Sequence, residues 1–131
     1  MPMEEYQKAM KIGLRENKEA EAKGRKPGLL VLPQEPEQLA YRRESLGLKE
    51  IPAHLIAGTC TALRADAFSP NFSPVLPPDT EFAIKWTNLC KSHLEEGIRD
   101  PVKGVEYMNR YYIMEGHKRV SVLKYFGAVS V

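Results

Sequence analysis

The sequence has little that would link it to a membrane or an oxidising compartment. Its uninterrupted apolar runs are no longer than Leu29–Leu32, whereas about 18–20 apolar residues are needed to cross a bilayer. The N-terminus lacks the charged-then-apolar pattern of a signal peptide. The two cysteines, Cys60 and Cys90, have no CxxC spacing and cannot form a disulfide framework. These absences predict a cytoplasmic protein without membrane association.

Strong charge of one sign is also absent. The chain carries 19 basic and 17 acidic residues, a formal net charge of +2, which is too balanced for a polybasic nucleic-acid binder. There is no GxxxxGK[ST] phosphate loop and no helix-turn-helix pattern, so recognition of a specific DNA site is not encoded in these residues. Hydrophobic residues make up 43% and charged residues 27%, as expected for a globular domain.

The elements that the sequence predicts give an α/β (α+β) fold with a small mixed sheet and packed helices. Residues 1–48 are predicted as a helical N-terminal extension, and residues 49–131 as the main domain. The extension contains a helix over Glu4–Lys23, which should pack against the domain or a partner, then the apolar segment Leu29–Leu32 and a second helix over Pro36–Leu46.

The main domain alternates predicted strands and helices. A first strand, or its end, is predicted at 49–52, and the following segment 53–64 contains the polar, turn-forming residues Gly58–Arg64. A stiff loop over 68–79 comes next, which holds four prolines and has the length of many lids and binding loops. The later elements are a helix capped by Asp79 or Thr80 and ended by Gly97, a hairpin of strands at 102–108 and 110–114, a helix from Gly116 to Phe126, and a strand at 128–131. Because the chain stops inside that strand, we expect the native protein to continue beyond Val131.

The clearest chemical feature is a strand that leads through Gly116 into a helix. A helix N-terminus offers free backbone N–H groups and a partial positive charge, which suit an anion such as phosphate, and glycine lets the ligand approach closely. Lys118 and Arg119 add charge, and arginine can hold phosphate oxygens bidentately. The alternative is a solvated first turn followed by two surface cations.

At these residues the chain resembles a known family. Glu115–Gly127 is similar to the signature box of the ParB/sulfiredoxin-like superfamily: a strand, an acidic or small residue, glycine, polar or basic residues ending in arginine, and a helix closed by a glycine turn. Ile51–Ile56 resembles the Ile-Pro-Leu-x-x-Ile opening of ParB N-terminal domains, and Gly97–Val102 resembles their Gly-x-x-x-Pro turn. The resemblance covers about residues 49–131.

The resemblance implies a nucleotide- or phosphate-binding domain, with ATP, ADP or CTP as the ligand, alone or with Mg²⁺. It implies a bacterial regulatory or partition-type protein that contacts DNA through the full-length chain; a homo-oligomer is left open. The implied phosphate- or nucleotide-binding residues are Gly116, His117, Lys118, Arg119, Arg64, Thr61, Gly97 and Pro101. His117 and Glu115 are the catalytic candidates, and no residue is assigned as a structural metal ligand.

Departures from the family pattern leave the function open between a binding module, an enzyme and a scaffold. His117 stands where sulfiredoxins have cysteine, so sulfinic-acid reduction is not expected. Partition proteins carry a Glu-Asn-x-x-Arg motif downstream of the box, and this chain ends before such a motif could appear. The alternatives to a binding module are therefore a phosphotransferase similar to the free serine kinases, a ParB-like nuclease, or a scaffold with a vestigial pocket. Whether the protein is an enzyme stays undecided.

Several single residues keep two interpretations. Glu115 is either a base beside the phosphate or a counter-charge to Lys118 and Arg119. Asp100 either joins Glu115 near Mg²⁺ or only forms the turn before a proline. Three tyrosines with a neighbouring arginine form either a base-stacking patch or part of the core, namely Tyr107, Tyr111, Tyr112 and Arg110.

Overall fold

The computed structural model describes residues 3–31, 50–98, 101–107 and 109–128. Over these residues it has four α-helices and a four-stranded mixed sheet, so the predicted small α/β fold with a helical N-terminus is confirmed. The helices are α1 (Met3–Ala22), α2 (Ala62–Ala65), α3 (Glu81–Glu95) and α4 (His117–Tyr125), and the strands are β1 (Leu30–Val31), β2 (Ile56–Thr59), β3 (Lys103–Tyr107) and β4 (Arg110–Glu115). None of these helices combines the length and apolarity that a bilayer span requires.

The strands lie in the order β1-β2-β4-β3. The pairs β1–β2 and β2–β4 are parallel, and β3 and β4 form an antiparallel hairpin. Gly58 of β2 lies opposite Leu30, and a Cβ atom at Gly58 would overlap the Leu30 carbonyl. The glycine therefore lets β1 pair directly with the rest of the sheet.

The segment from 49 to 64 is where the sequence-based prediction is wrong. Its described start, Glu50–Pro52, forms no strand, and a 3₁₀ turn follows at Ala53–Leu55. Strand β2 lies instead at Ile56–Thr59 and includes the first two residues of the predicted polar turn, Gly58 and Thr59. Three of its four residues are buried, so it lacks the alternating pattern by which half-exposed strands are recognised.

Other predictions agree with the structure or fall outside it. Thr80 caps α3 by accepting a hydrogen bond from the Ala83 amide at 3.2 Å, as the sequence predicted, and the hairpin and α4 lie close to their predicted positions. The helix predicted at 36–46, the boundary between residues 48 and 49, and the strand residues 129–131 lie outside the described residues.

Over the described part of the chain, two hydrophobic clusters form the core, and Phe82 packs against both. The first, between the sheet and the proline-rich loop, contains Leu29, Ile56, Ala65, Phe68, Phe72, Tyr111, Ile113 and Val120. The second joins α1, α3 and α4 and contains Tyr6, Ala9, Ala83, Trp86, Cys90 and Val122. The Tyr6 hydroxyl donates to the Leu76 carbonyl at 2.6 Å. Helix α1 therefore packs against the domain, as its sequence predicted.

The loop at 68–79 contains no helix or regular strand, as its prolines predicted. However, Phe68 and Phe72 are fully buried, and the buried Ser69 hydroxyl donates to Glu16 Oε1 at 2.6 Å. The loop is anchored in the core at these points. It forms one wall of the domain and is not a detached lid.

Candidate anion-binding site

A surface cleft of about 420 Å³ lies between α3, the last turn of α2 and the turn from β4 into α4. Six of the residues predicted from the sequence line it, namely Arg64, Glu115, Gly116, His117, Lys118 and Arg119. The remaining lining residues are Phe68, Lys85, Asn88, Leu89 and Met114. The structure thus brings the glycine-basic segment and the distant Arg64 to one site.

The turn into α4 depends on a glycine. Gly116 has φ +99°, and a Cβ atom there would lie 2.6 Å from Val102 Cγ1. As the N-cap residue it has no side chain to satisfy the first turn, and its carbonyl accepts a hydrogen bond from the Val120 amide at 3.0 Å. The first backbone N–H groups of α4 have no acceptor within the helix, and they can bind an anion in the cleft.

Among the described residues, four cationic side chains from three helices line the cleft, namely Arg64, Lys85, Lys118 and Arg119, together with one carboxylate, that of Glu115. Burial lowers the pKa of Lys118, and the nearby Arg64 and Lys85 lower it further, while Glu81 opposes them. The cations among the described lining residues outnumber the carboxylate, so the cleft carries positive charge, part of which Glu81 offsets through its 3.1 Å ion pair with Lys85. A bound anion would relieve the repulsion between these cations.

The His117 ring is built into the core. It is 5% exposed, it stacks near Phe68 and Phe72 with centroid distances of 6.2 and 6.4 Å, and its Nε2 lies 2.7 Å from Thr59 Oγ1. Burial lowers its pKa to about 4, with further lowering by two neighbouring cations and an opposing hydrogen bond to the Ile113 backbone. The ring is therefore neutral at pH 7 and structural, and the backbone N–H remains for an anion.

Glu115 and Arg119 have partners that the sequence did not predict. Glu115, the last residue of β4, pairs with Lys103 across the hairpin at 3.9 Å, with both side chains largely exposed, instead of balancing Lys118 and Arg119 of α4. Arg119 Nη1 donates to the Pro101 carbonyl at 2.8 Å. This bond ties the turn before β3 to the first turn of α4 and leaves the other guanidinium nitrogens to the cleft.

Three residues implied by the resemblance do not line the cleft. The Thr61 hydroxyl caps α2 by accepting from the Leu63 amide at 3.3 Å. Gly97, with φ +82°, follows the end of α3, and Pro101 acts through its carbonyl. Each shapes an element beside the cleft without facing a ligand there.

The structure describes some of the remaining candidates, which are the tyrosines of the hairpin, Asp100 and the possible metal ligands. Tyr111 and Tyr112 are both 7% exposed, so the core interpretation of these tyrosines is the correct one. The side chain of Tyr107, and Asp100 as a whole, lie outside the described residues. Over the described ranges, no group of three or more histidine, cysteine, aspartate or glutamate side chains is placed to hold a metal ion.

Sequence reasoning missed the wall that α3 supplies. Lys85, Asn88 and Leu89 are spaced i, i+3 and i+4 and so share one face of the helix. The sequence contains that spacing, but the same helix also has an apolar stripe that faces the core, so the spacing alone does not identify the face that lines the cleft. Only the packing shows which polar residues face the glycine turn.

Comparisons with known proteins return no relative: no family model, no curated protein and no solved structure matches the chain. The resemblance to the ParB/sulfiredoxin-like superfamily therefore stays a prediction. The geometry of the cleft stands independently of it.

Proposed function

We propose that this chain binds a phosphorylated small molecule, with a nucleotide as the first candidate, in the cleft between α3 and the start of α4. The convergence of four cations from three helices on a helix N-terminus is the observation that supports it. The resemblance adds the choice of ATP, ADP or CTP, and the wider role of a cytoplasmic, nucleic-acid-associated regulatory or partition-type protein.

The cleft has the composition that a phosphorylated ligand requires. Charge-assisted hydrogen bonds from arginine, lysine and backbone N–H groups bind phosphate oxygens, while Phe68, Leu89 and Met114 offer apolar surface for the rest of the ligand. The Asn88 amide lines the same wall and can both donate and accept. A volume of about 420 Å³ lies within the range of small-molecule sites.

The alternatives gain no support from the geometry. Phosphate transfer would need a base, but the His117 ring is buried against Thr59 and Glu115 pairs with Lys103. A nuclease would need metal-binding carboxylates, and the described residues contain no such cluster. A scaffold with an unused pocket is the conclusion if no ligand binds.

Calorimetric titration with ATP, ADP, CTP and inorganic phosphate, each with and without Mg²⁺, tests the proposal. Arg64→Gln and Lys85→Gln should each weaken binding about tenfold or more, because each removes a charged contact to phosphate. Lys91→Gln is the matched control, since Lys91 is exposed on α3 and does not line the cleft. Absence of binding up to about 1 mM, or equal effects of all three substitutions, would overturn the proposal.

A further inference from the structure

Lys118 differs from the other lysine that lines the cleft. It is only partly exposed, and its Nζ lies 5.2 Å from the Phe82 ring centroid. Lys85, in contrast, is largely exposed and forms an ion pair with Glu81 at 3.1 Å. Among the described residues, Lys118 is therefore the less exposed of the two lysines that line the cleft.

Lys118 is partly buried and lines the cleft together with Arg64 and Lys85. Burial and the facing cations Arg64 and Lys85 lower the pKa of its ammonium group, and Glu81 alone opposes them among the charged groups that act on it. The Phe82 ring, whose centroid lies 5.2 Å from Nζ, attracts the cationic form and so acts in the opposite direction. A lysine that is desolvated and placed beside other cations is the kind that acts as an amine nucleophile in proteins.

The position of Lys118 in the cleft indicates the class of ligand with which its amine would react. Lys118 is the second residue of α4, and it lines the same cleft as Arg64 and the start of that helix. We propose that Lys118 forms an imine with the carbonyl group of a phosphorylated aldehyde or ketone, whose phosphate is held by the cations and the α4 N-terminus. The phosphate part of this inference rests on the proposed function.

The chemistry needs no other reagent. The unprotonated Nζ of Lys118 adds its electron pair to the carbonyl carbon, and the resulting carbinolamine loses its oxygen as water, with both amine protons leaving in the process. The product is a C=N bond, which gains a proton to become an iminium ion. That cation keeps a positive charge near the bound phosphate.

Lys124 provides an internal control. Burial lowers the pKa of its amine too, with Glu16 opposing, and its Nζ lies 5.3 Å from the Phe72 ring centroid. However, Lys124 donates to Asn71 Oδ1 at 2.9 Å and does not line the cleft. A reagent that responds only to a partly buried amine would label both lysines, whereas a phosphorylated carbonyl compound should prefer Lys118.

The probe is pyridoxal 5′-phosphate, with unphosphorylated pyridoxal as its partner. The full chain is incubated with each aldehyde across pH 6–10, the imine is reduced with borohydride, and labelled lysines are located by peptide mass spectrometry. We expect Lys118 to be labelled before Lys124 and Lys91, and about tenfold faster by the phosphorylated probe, because a phosphate contact contributes at least that factor. Lys118→Arg, which keeps the charge, should remove this label, and Lys124→Arg should not.

The outcomes separate this inference from the proposed function. Preferred labelling of Lys118, with competition by inorganic phosphate, supports both. Preference for Lys118 with either aldehyde, without phosphate competition, supports the reactive amine and overturns the anion site. Labelling of Lys118 no faster than that of Lys124 or Lys91 overturns the imine proposal, while calorimetry with inorganic phosphate still decides the anion site.

Discussion

The Thr59 hydroxyl oxygen and His117 Nε2 lie 2.7 Å apart in the core. This contact joins the end of β2 to the first residue of α4, and it places the helix start beside the cleft. Thr59 Oγ1 also lies 3.2 Å from the Ile113 carbonyl and accepts from the Thr61 amide at 3.1 Å. One buried threonine thus connects β2, β4, the cap of α2 and the glycine turn.

The neutral His117 ring predicts acid-sensitive folding. Its pKa is about 4 in the folded chain against a usual value of 6.5, so between these values the unfolded chain binds a proton that the folded chain does not. The stabilisation is complete above about pH 6.5 and is lost as the pH falls towards 4, with a maximum of about 3 kcal/mol. Urea unfolding at pH 7, 6, 5 and 4.5 measures this slope.

Two histidine variants identify the source of the slope. His117→Gln should reduce the decrease between pH 6.5 and 4, whereas His54→Gln should leave it unchanged because His54 is exposed. A slope that persists in full without His117 would show that carboxylates control the acid sensitivity.

Gly116→Ala should be more damaging than the same change at Gly127. Both glycines have positive φ, +99° and +76°, but a Cβ at Gly116 would lie 2.6 Å from Val102 Cγ1, and one at Gly127 would meet no atom within 4 Å. We expect Gly127→Ala to cost about 1 kcal/mol, and Gly116→Ala about 1–3 kcal/mol more through the added clash. Equal free energies of unfolding in the two variants would contradict the tight turn.

Ser121→Ala should destabilise the domain through Trp86. The Trp86 indole N–H donates to the Ser121 hydroxyl at 2.9 Å, and both side chains are buried, so its loss leaves a buried donor without an acceptor, at a cost of about 1–3 kcal/mol. Trp86 is the single tryptophan, and its fluorescence reports unfolding directly. Ser92→Ala, at an exposed position of α3, should change stability by less than about 0.5 kcal/mol.

Tyr6 should account for much of the docking of α1. Its ring is fully buried, at 5.4 Å from the Trp86 ring centroid, and its hydroxyl bonds the Leu76 carbonyl. Tyr6→Phe removes the hydrogen bond and should cost about 1–2 kcal/mol, whereas Tyr6→Ala leaves a cavity and should cost about 3–5 kcal/mol. Leu14→Ala on the same helix, where the side chain is 44% exposed, should cost under about 1 kcal/mol in the same urea assay. A Tyr6→Ala protein as stable as Leu14→Ala would show that α1 contributes little.

Local signals predicted those elements whose residues carry their own boundary markers. Thr80 at the start of α3, Gly116 before α4 and the alternation in the β3–β4 hairpin all act within a few residues. Strand β2 has no such marker, because its pairing partners come from β1 and β4, which are distant in the sequence. Its position depends on those partners and not on local preference.

The candidate site likewise combines features that the sequence predicts with features that only the tertiary structure fixes. The sequence by itself determined that a glycine opens a helix with Lys118 and Arg119 in its first turn, because φ preference and helix start signals are local. Only the tertiary structure decided that Arg64 and Lys85 join that turn in one cleft, and that the His117 ring turns into the core. These positions depend on packing between segments that are distant in the sequence. Burial and charge act there between non-neighbouring residues and produce no periodic pattern along the chain.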